Sequence, residues 1–311
     1  MAIQGDVAEI PQLMTPVVSK QRGLWGDAFR RLRRNKLAVL GLIILLSIAA
    51  LVTIDGFTHL FQRYDAYFDQ DYTALQQGPS WTHFFGTDNL GRDNWSRVLS
   101  GIRVSLQIGI GTQIVVVTLG VTVGAIAALG GRFFDNFLMR ITDIAYAFPD
   151  ILFIILMRAV LENRNWLLVS DAKVQIILAI SLINWTTLAR LVRGQMLSLR
   201  ERDYVIAARA MGATSSRIVW VHMLPNTLGP VIVAVTFGVP IAIFAEAALG
   251  FIGFGIQAPA ISLGRLVSDG YTYINVNYWI VLFPAAAIAI LMLCFTFIGD
   301  GLRDALDPRT R

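Results

Sequence analysis

The chain has 311 residues, of which 55% are hydrophobic and only 15% charged, with a mean hydropathy of +0.61. A soluble domain of this length carries about 25% charged residues, so the deficit places the chain among integral membrane proteins. The single cysteine, Cys294, lies in an apolar run and excludes a disulfide framework or a cysteine-built metal site within the chain.

Residues 1–19 contain no apolar core, and the first apolar run follows a basic cluster. The N-terminus therefore reads as a loose tail ahead of a retained span, not as a cleavable signal. "LWGDAFRRLRRNK", Leu24 to Lys36, predicts a short amphipathic helix. Leu24, Trp25, Ala28, Phe29 and Leu32 recur at helical spacing with arginines on the other side. Such a helix suits the inner membrane interface. The plainer alternative is a basic anchor that fixes orientation.

A bilayer-crossing helix needs about 20 mostly apolar residues. Six segments qualify: Leu37–Ile54, Val104–Leu129, Phe137–Val160, Val174–Leu191, Thr227–Gly250 and Tyr278–Ile298. The expected fold is all-α, with six transmembrane helices and both termini on one side. With the N-terminus inside, 18 of the 26 Lys and Arg residues fall on inner segments, which makes both termini cytoplasmic. The basic excess is thus topology and contact with anionic head groups, not a nucleic-acid surface. The boundaries that follow are a tail and interfacial helix (1–36), a first span (37–54), an extracytoplasmic loop (55–103), a core of spans (104–300) and a cytoplasmic tail (301–311). Within the core, 193–226 is a cytoplasmic loop.

The outer loop Asp55–Arg103 holds six aspartates and many aromatics, among them Phe61, Tyr64, Tyr67, Trp81, Phe85 and Trp95. A loop this long is expected to pack into a small cap. Its aromatics serve either a docking surface for an extracytoplasmic partner or simple interfacial anchoring. At its end Trp95, Val98, Leu99 and Ile102 share one helical face leading into span two. In that span Gly120-x-x-x-Gly124 suits close helix contact.

Span three is interrupted by Asp143, Pro149, Asp150 and Arg158. Arg140 and Asp143 are spaced to neutralise each other on one helix face, and Pro149 predicts a kink. Asp150, and Glu246 near the outer end of span five, are intramembrane acids. Each faces a translocation path or pairs with a neighbouring segment. The stretch Leu249–Trp279 is too apolar for a loop and too broken for a span, and reads as re-entrant or surface-lying. Its "GFGIQA" mimics a dinucleotide fingerprint but lacks the strand before it.

No Gly-Lys dipeptide exists for a phosphate-cradling loop, and no GxSxG nucleophile motif is present. His59, His83 and His222 show no metal-ligand spacing. An enzyme is therefore not expected.

The segment Tyr204–Asn226, "YVIAARAMGATSSRIVWVHMLPN", is polar and sharply punctuated between two spans. Asp203 is placed to cap a helix over Tyr204–Met211, and Gly212 to end it in the left-handed conformation. Thr214 or Ser215 then caps a second helix, from Ser216 to about Met223, that Leu224-Pro225-Asn226 closes. The small Ala207, Ala208 and Ala210 allow another surface to approach closely.

"AARAMG", nine further residues and "HMLP" resemble the cytoplasmic EAA loop of ABC importer permeases, matching at Ala207, Ala208, Gly212, Leu224 and Pro225. Ile206 stands where that family favours glutamate, and His222 where it has isoleucine or, in the peptide branch, histidine. Four more segments resemble the C-type subunit of dipeptide and oligopeptide permeases: "RRNKLAVLGLIIL", "FGTDNLGRDNWSRVLSGIRVSL", "EAALGFIGFGIQAP" and "GDGLRDALDPR". The resemblance implies a type I importer permease that performs no chemistry and binds no cofactor. Its implied partners are a homologous B-type permease, two cytoplasmic ATPases holding ATP and Mg, and an extracytoplasmic peptide-binding protein. Tyr204, Ala207, Ala208, Arg209, Ala210, Met211, Gly212, Leu224 and Pro225 would couple to the ATPases. Nickel or another small solute is the alternative cargo, and a non-transporting membrane scaffold the alternative of another class.

Overall fold

The computed structural model describes residues 24–58, 65, 68–162 and 171–307. The expected tail 1–19 lies outside the described residues, as do His59, Phe61, Tyr64 and Tyr67. Among the described residues the secondary structure is helical: α1 Leu24–Arg34, α2 Lys36–Thr58, α3 Asn94–Leu129, α4 Gly131–Tyr146, α5 Asp150–Glu162, α6 Ala172–Arg200, α7 Asp203–Ala210, α8 Ser215–Arg217, α9 Leu224–Phe251, α10 Leu263–Tyr271 and α11 Trp279–Leu306. A π-helical stretch, Ile218–Met223, joins α8 to α9.

Five helical stretches are long and apolar enough to cross a bilayer, containing α2, α3, α6, α9 and α11. The third apolar segment, expected as a span over Phe137–Val160 kinked at Pro149, is broken more sharply than a kink. It breaks into α4 and α5, which meet at a 95° bend. The break falls at residues 147–149, where Pro149 supplies no backbone donor and Asp150 begins the next helix. Arg140 and Asp143 form no ion pair. Arg193 of α6 instead holds Asp135 of α4 through two hydrogen bonds, and the Arg190 guanidinium lies 4.4 Å from the Tyr146 ring centre. Asp135 of α4 is thus paired with α6, across a long sequence gap, and not within its own helix.

The long pair α3 and α6 forms the centre. Close approach follows from glycine: a Cβ at Gly120 would stand 2.8 Å from the Leu188 Cβ, and one at Gly124 would press on the Ala189 carbonyl and Val192. Inside a membrane such packing contributes through van der Waals contact, since lipid is as apolar as leucine. Helix α9 crosses α3 on another side, with Val239 and Ile243 against Gly109. It carries Pro230 and Pro240 in its interior. Helix α11 packs between α2 and α9. Amphipathic α1 lies against the C-terminal end of α11, where Leu32 and Ala38 at the start of α2 close over Gly301.

Among its described residues, the loop between α2 and α3 packs into a small folded unit. Asp88 organises it, accepting from the backbone N–H groups of Leu90 and Arg92, from the Arg92 side chain, and from Arg97. Asp93 caps α3 through the Ser96 N–H at 2.8 Å, and its other oxygen meets His83 Nδ1 at 2.9 Å. The aromatics divide by position. Phe85 stacks on Phe283 and meets Trp95 edge-on, inside the core that also holds Val98, Leu99 and Ile102. Phe68, Tyr72 and Trp81 stay exposed, Trp81 at 90%. The segment after α9 turns back and forms α10, capped by Ser262. It buries Ile256, Ile261, Leu263 and Leu266 among the neighbouring helices.

Candidate coupling site and membrane path

Helix α7 sits on a packed cluster. Val205 is fully buried and Ala208 nearly so, against Met196 of α6, Ile218 and Met223 of the π stretch, and Val231 of α9. Burying a valine stabilises by about 1.5–3 kcal/mol, enough to hold an eight-residue helix that would not form alone. The opposite face is open. Tyr204, Ile206, Ala207, Ala210 and Met211 are exposed there, Met211 at 82%, and Arg209 is exposed on the flank nearer Val205. The small alanines leave this crest low, with Tyr204 and Met211 standing at its side.

The local signals act as expected in part. Gly212 has φ +85°, the left-handed residue that ends α7, and Thr214 caps α8 by accepting from the Arg217 N–H. Two expectations are corrected. Asp203 is the first helical residue, not the cap. The cap is Arg202, which makes no side-chain capping bond, so Asp203 acts through its charge at the positive helix end. Pro225 does not close a helix before span five. The helix runs on into α9, and Pro225 occupies its first turn. The π turn explains how. The Leu224 N–H bonds five residues back to the Val219 carbonyl, and this wider turn makes room for the proline ring. Asn226 Nδ2 donates to the His222 carbonyl at 2.6 Å. Leu224 is half-buried and Pro225 exposed, so of the nine residues expected to couple, Ala208 and Leu224 position the knob, Arg209 lies on its flank, and the others are exposed on it.

The two acids separate. Asp150 is exposed at the start of α5. Glu246 is fully buried and accepts from Ser105 Oγ at 2.8 Å, tying α9 to α3. Arg158 is also buried, donating to the Gly255 carbonyl, and ties α5 to the segment between α9 and α10.

Between α3, α6 and α9 lies a cavity of about 330 Å³. Its wall is mostly apolar, with Gln113, Asn184 and Thr187 as its polar members. Sequence reasoning missed these three, since uncharged polar residues scattered along apolar helices carry no periodic mark. Gln113 has a visible partner feature: Gly238 faces it so closely that a Cβ there would collide with the amide.

A family model described as "Binding-protein-dependent transport system inner membrane component" matches residues 120–311. The chain belongs to this family. A second model, for the N-terminal membrane domain of oligopeptide transport permease C, matches residues 23–79. The permease is 40% identical over 295 residues to the oligopeptide transport system permease protein OppC of Bacillus subtilis, covering 95% of this chain and 93% of that one. It is 41% identical to the dipeptide transport system permease protein DppC of Alkalihalophilus pseudofirmus, with 92% and 90% covered. An inward-facing structure of the MetNI methionine ABC transporter superposes with a TM-score of 0.55 at 22% identity, covering 67% of the permease and 94% of that chain. The last likeness establishes the type I importer permease fold. The permease is thus a multi-pass, non-catalytic inner-membrane subunit of an ABC importer, a machine that joins permease, ATPase and substrate-binding components.

Proposed function

We propose that this permease forms half of a membrane path for short peptides. A homologous B-type permease supplies the other half, and two ATPases holding ATP and Mg lie beneath. A peptide-binding protein delivers cargo from above. Both termini and the 193–226 loop face the cytoplasm. The near full-length likeness to oligopeptide and dipeptide permeases carries the choice of cargo.

The α7 crest is the contact with an ATPase subunit. Its exposed apolar residues rest on a buried cluster shared with α6 and α9, so the closing of the ATPases moves those helix ends together. ATP biases the spans only through contacts that differ between the two states, and alternating access follows from that difference. Gln113, Asn184 and Thr187 line the peptide path, offering amide and hydroxyl groups that match a peptide backbone without selecting side chains. The exposed Tyr72 and Trp81 of the cap meet the binding protein.

The test is purification of the chain from native membranes, followed by uptake in proteoliposomes. Two ATPases and a second permease should accompany it, and labelled dipeptide should enter on ATP addition. Uptake of nickel in place of peptide would overturn the cargo. An intact, folded chain with no ATPase partner would favour the scaffold.

A further inference from the structure

Three arginines mark the inner half of α6, and two of them are engaged. Arg190 is held by Tyr146 and the Thr142 carbonyl, and Arg193 by Asp135. Arg200, two turns further on, has no ion-pair or hydrogen-bond partner among the described residues, and neither has Arg209 of α7. Both line one recess of about 320 Å³, together with Ser215, Ser216, Trp220 and Leu129. Its wall carries two positive charges and no negative one. The nearby acids Glu201 and Asp203 do not contribute to it.

Arg209 follows the buried Val205 by one helical turn. It therefore flanks the side of α7 turned toward the spans, away from the crest of Ala207 and Ala210. The rim of the recess is apolar and open: Trp220 is 67% exposed, and Val221 and Leu129 are exposed beside it. An exposed tryptophan bordering a long apolar helix belongs at the level of lipid head groups.

We infer that this recess binds the phosphodiester of an anionic phospholipid of the inner leaflet. The guanidiniums and serine hydroxyls hold the phosphate oxygens, and Trp220 and Leu129 lie along the glycerol and upper acyl chains. A free phosphate would satisfy the arginines but would leave the apolar rim uncovered, which favours the lipid. Because α7 and the π stretch both wall the recess, a bound lipid braces the base of the coupling knob. The inference goes beyond the peptide path and takes from it only the placing of the 193–226 loop at the inner face.

The experiment is native mass spectrometry of the purified full chain with phosphatidylglycerol or phosphatidylcholine. It needs neither ATPase nor peptide, so its outcome is separate from that of the uptake assay. Phosphatidylglycerol should be retained in preference, and Arg200→Gln and Arg209→Gln should each lower its occupancy about fivefold. Arg200→Lys should keep most of it. Ser216→Ala, at an exposed position, should lower occupancy with an unchanged melting temperature. Equal retention of both lipids, or unchanged occupancy in the double arginine variant, would overturn the inference. Displacement by excess inorganic phosphate would make this a soluble-anion site and overturn it as well. Loss of ATPase co-purification in Arg200→Gln with lipid occupancy unchanged would assign the arginines to a protein partner, with the same consequence.

Discussion

Arg193 and Asp135, 58 residues apart, form a two-point ion pair that fastens α4, the first half of the broken third segment, to α6 at the centre of the bundle. The second contact, Arg193 Nη2 to Asp135 Oδ2, is 2.6 Å. Both side chains are partly exposed, so solvent screens the pair. A double-mutant cycle with Asp135→Asn and Arg193→Gln should give a coupling of about 1 kcal/mol, falling as salt is raised. An additive pair of effects in thermal unfolding would mean that α4 is held by packing alone.

The pair Asp88 and Arg97 should behave differently. Both side chains are only 3% exposed, and Asp88 also anchors two backbone N–H groups of the cap. Removing one charge leaves the other buried without compensation. Asp88→Asn should lower stability by about 3–5 kcal/mol with little dependence on salt. Thermal unfolding at two ionic strengths checks this. A loss below 1 kcal/mol would mean that Asp269 alone can hold Arg97.

Gly212 tests the knob. A Cβ at this position would meet nothing within 4 Å, so any penalty comes from the backbone and not from a clash. At φ +85°, a β-branched residue costs about 1–2 kcal/mol, whereas asparagine tolerates the conformation. Gly212→Val should therefore insert normally yet lose most ATP-driven uptake, while Gly212→Asn keeps most of it. Equal uptake in both variants would separate the turn from coupling.

The contact of α3 with α6 gives a graded outcome. At Gly120 an added methyl stands 2.8 Å from the Leu188 Cβ, a near contact that a small shift of α6 relieves. At Gly124 it meets the Ala189 carbonyl, which moves only with the whole of α6. Gly124→Ala should cost about 1–3 kcal/mol and Gly120→Ala less. The reverse order in melting temperature would show that the two helices separate more easily than their packing implies.

Much of this arrangement was legible in the sequence because its causes are local. The apolar runs, the left-handed Gly212, the Thr214 cap and the face of Trp95, Val98, Leu99 and Ile102 all follow from neighbours a few residues apart. The π turn was not legible. Pro225 announces a lost donor but not whether the helix stops or widens, and packing of Ile218 and Met223 into the cluster decides for widening. The pairing of Asp135 with Arg193 was hidden for another reason. Arg140 and Asp143 offered a nearer partnership, and the contact of Asp135 with Arg193 is made between helices 58 residues apart in sequence. The polar groups of the cavity, Gln113 and Asn184, come together from helices 71 residues apart in sequence and carry no charge to draw notice.

The ladder Arg92, Asp88, Arg97, Asp269 and Arg265 joins the cap, the start of α3 and α10 on the face that we propose lies outside the cell. A bacterium regulates the ions of its cytoplasm but has no hold on those of its surroundings. Screening by dissolved ions is weak where charges are buried, and Asp88 and Arg97 at the middle of the ladder are sealed from solvent. The outer face is thereby built to keep its shape from fresh water to brine, whereas the Asp135 and Arg193 clasp, half open to solvent, depends on the steadier salt of the interior.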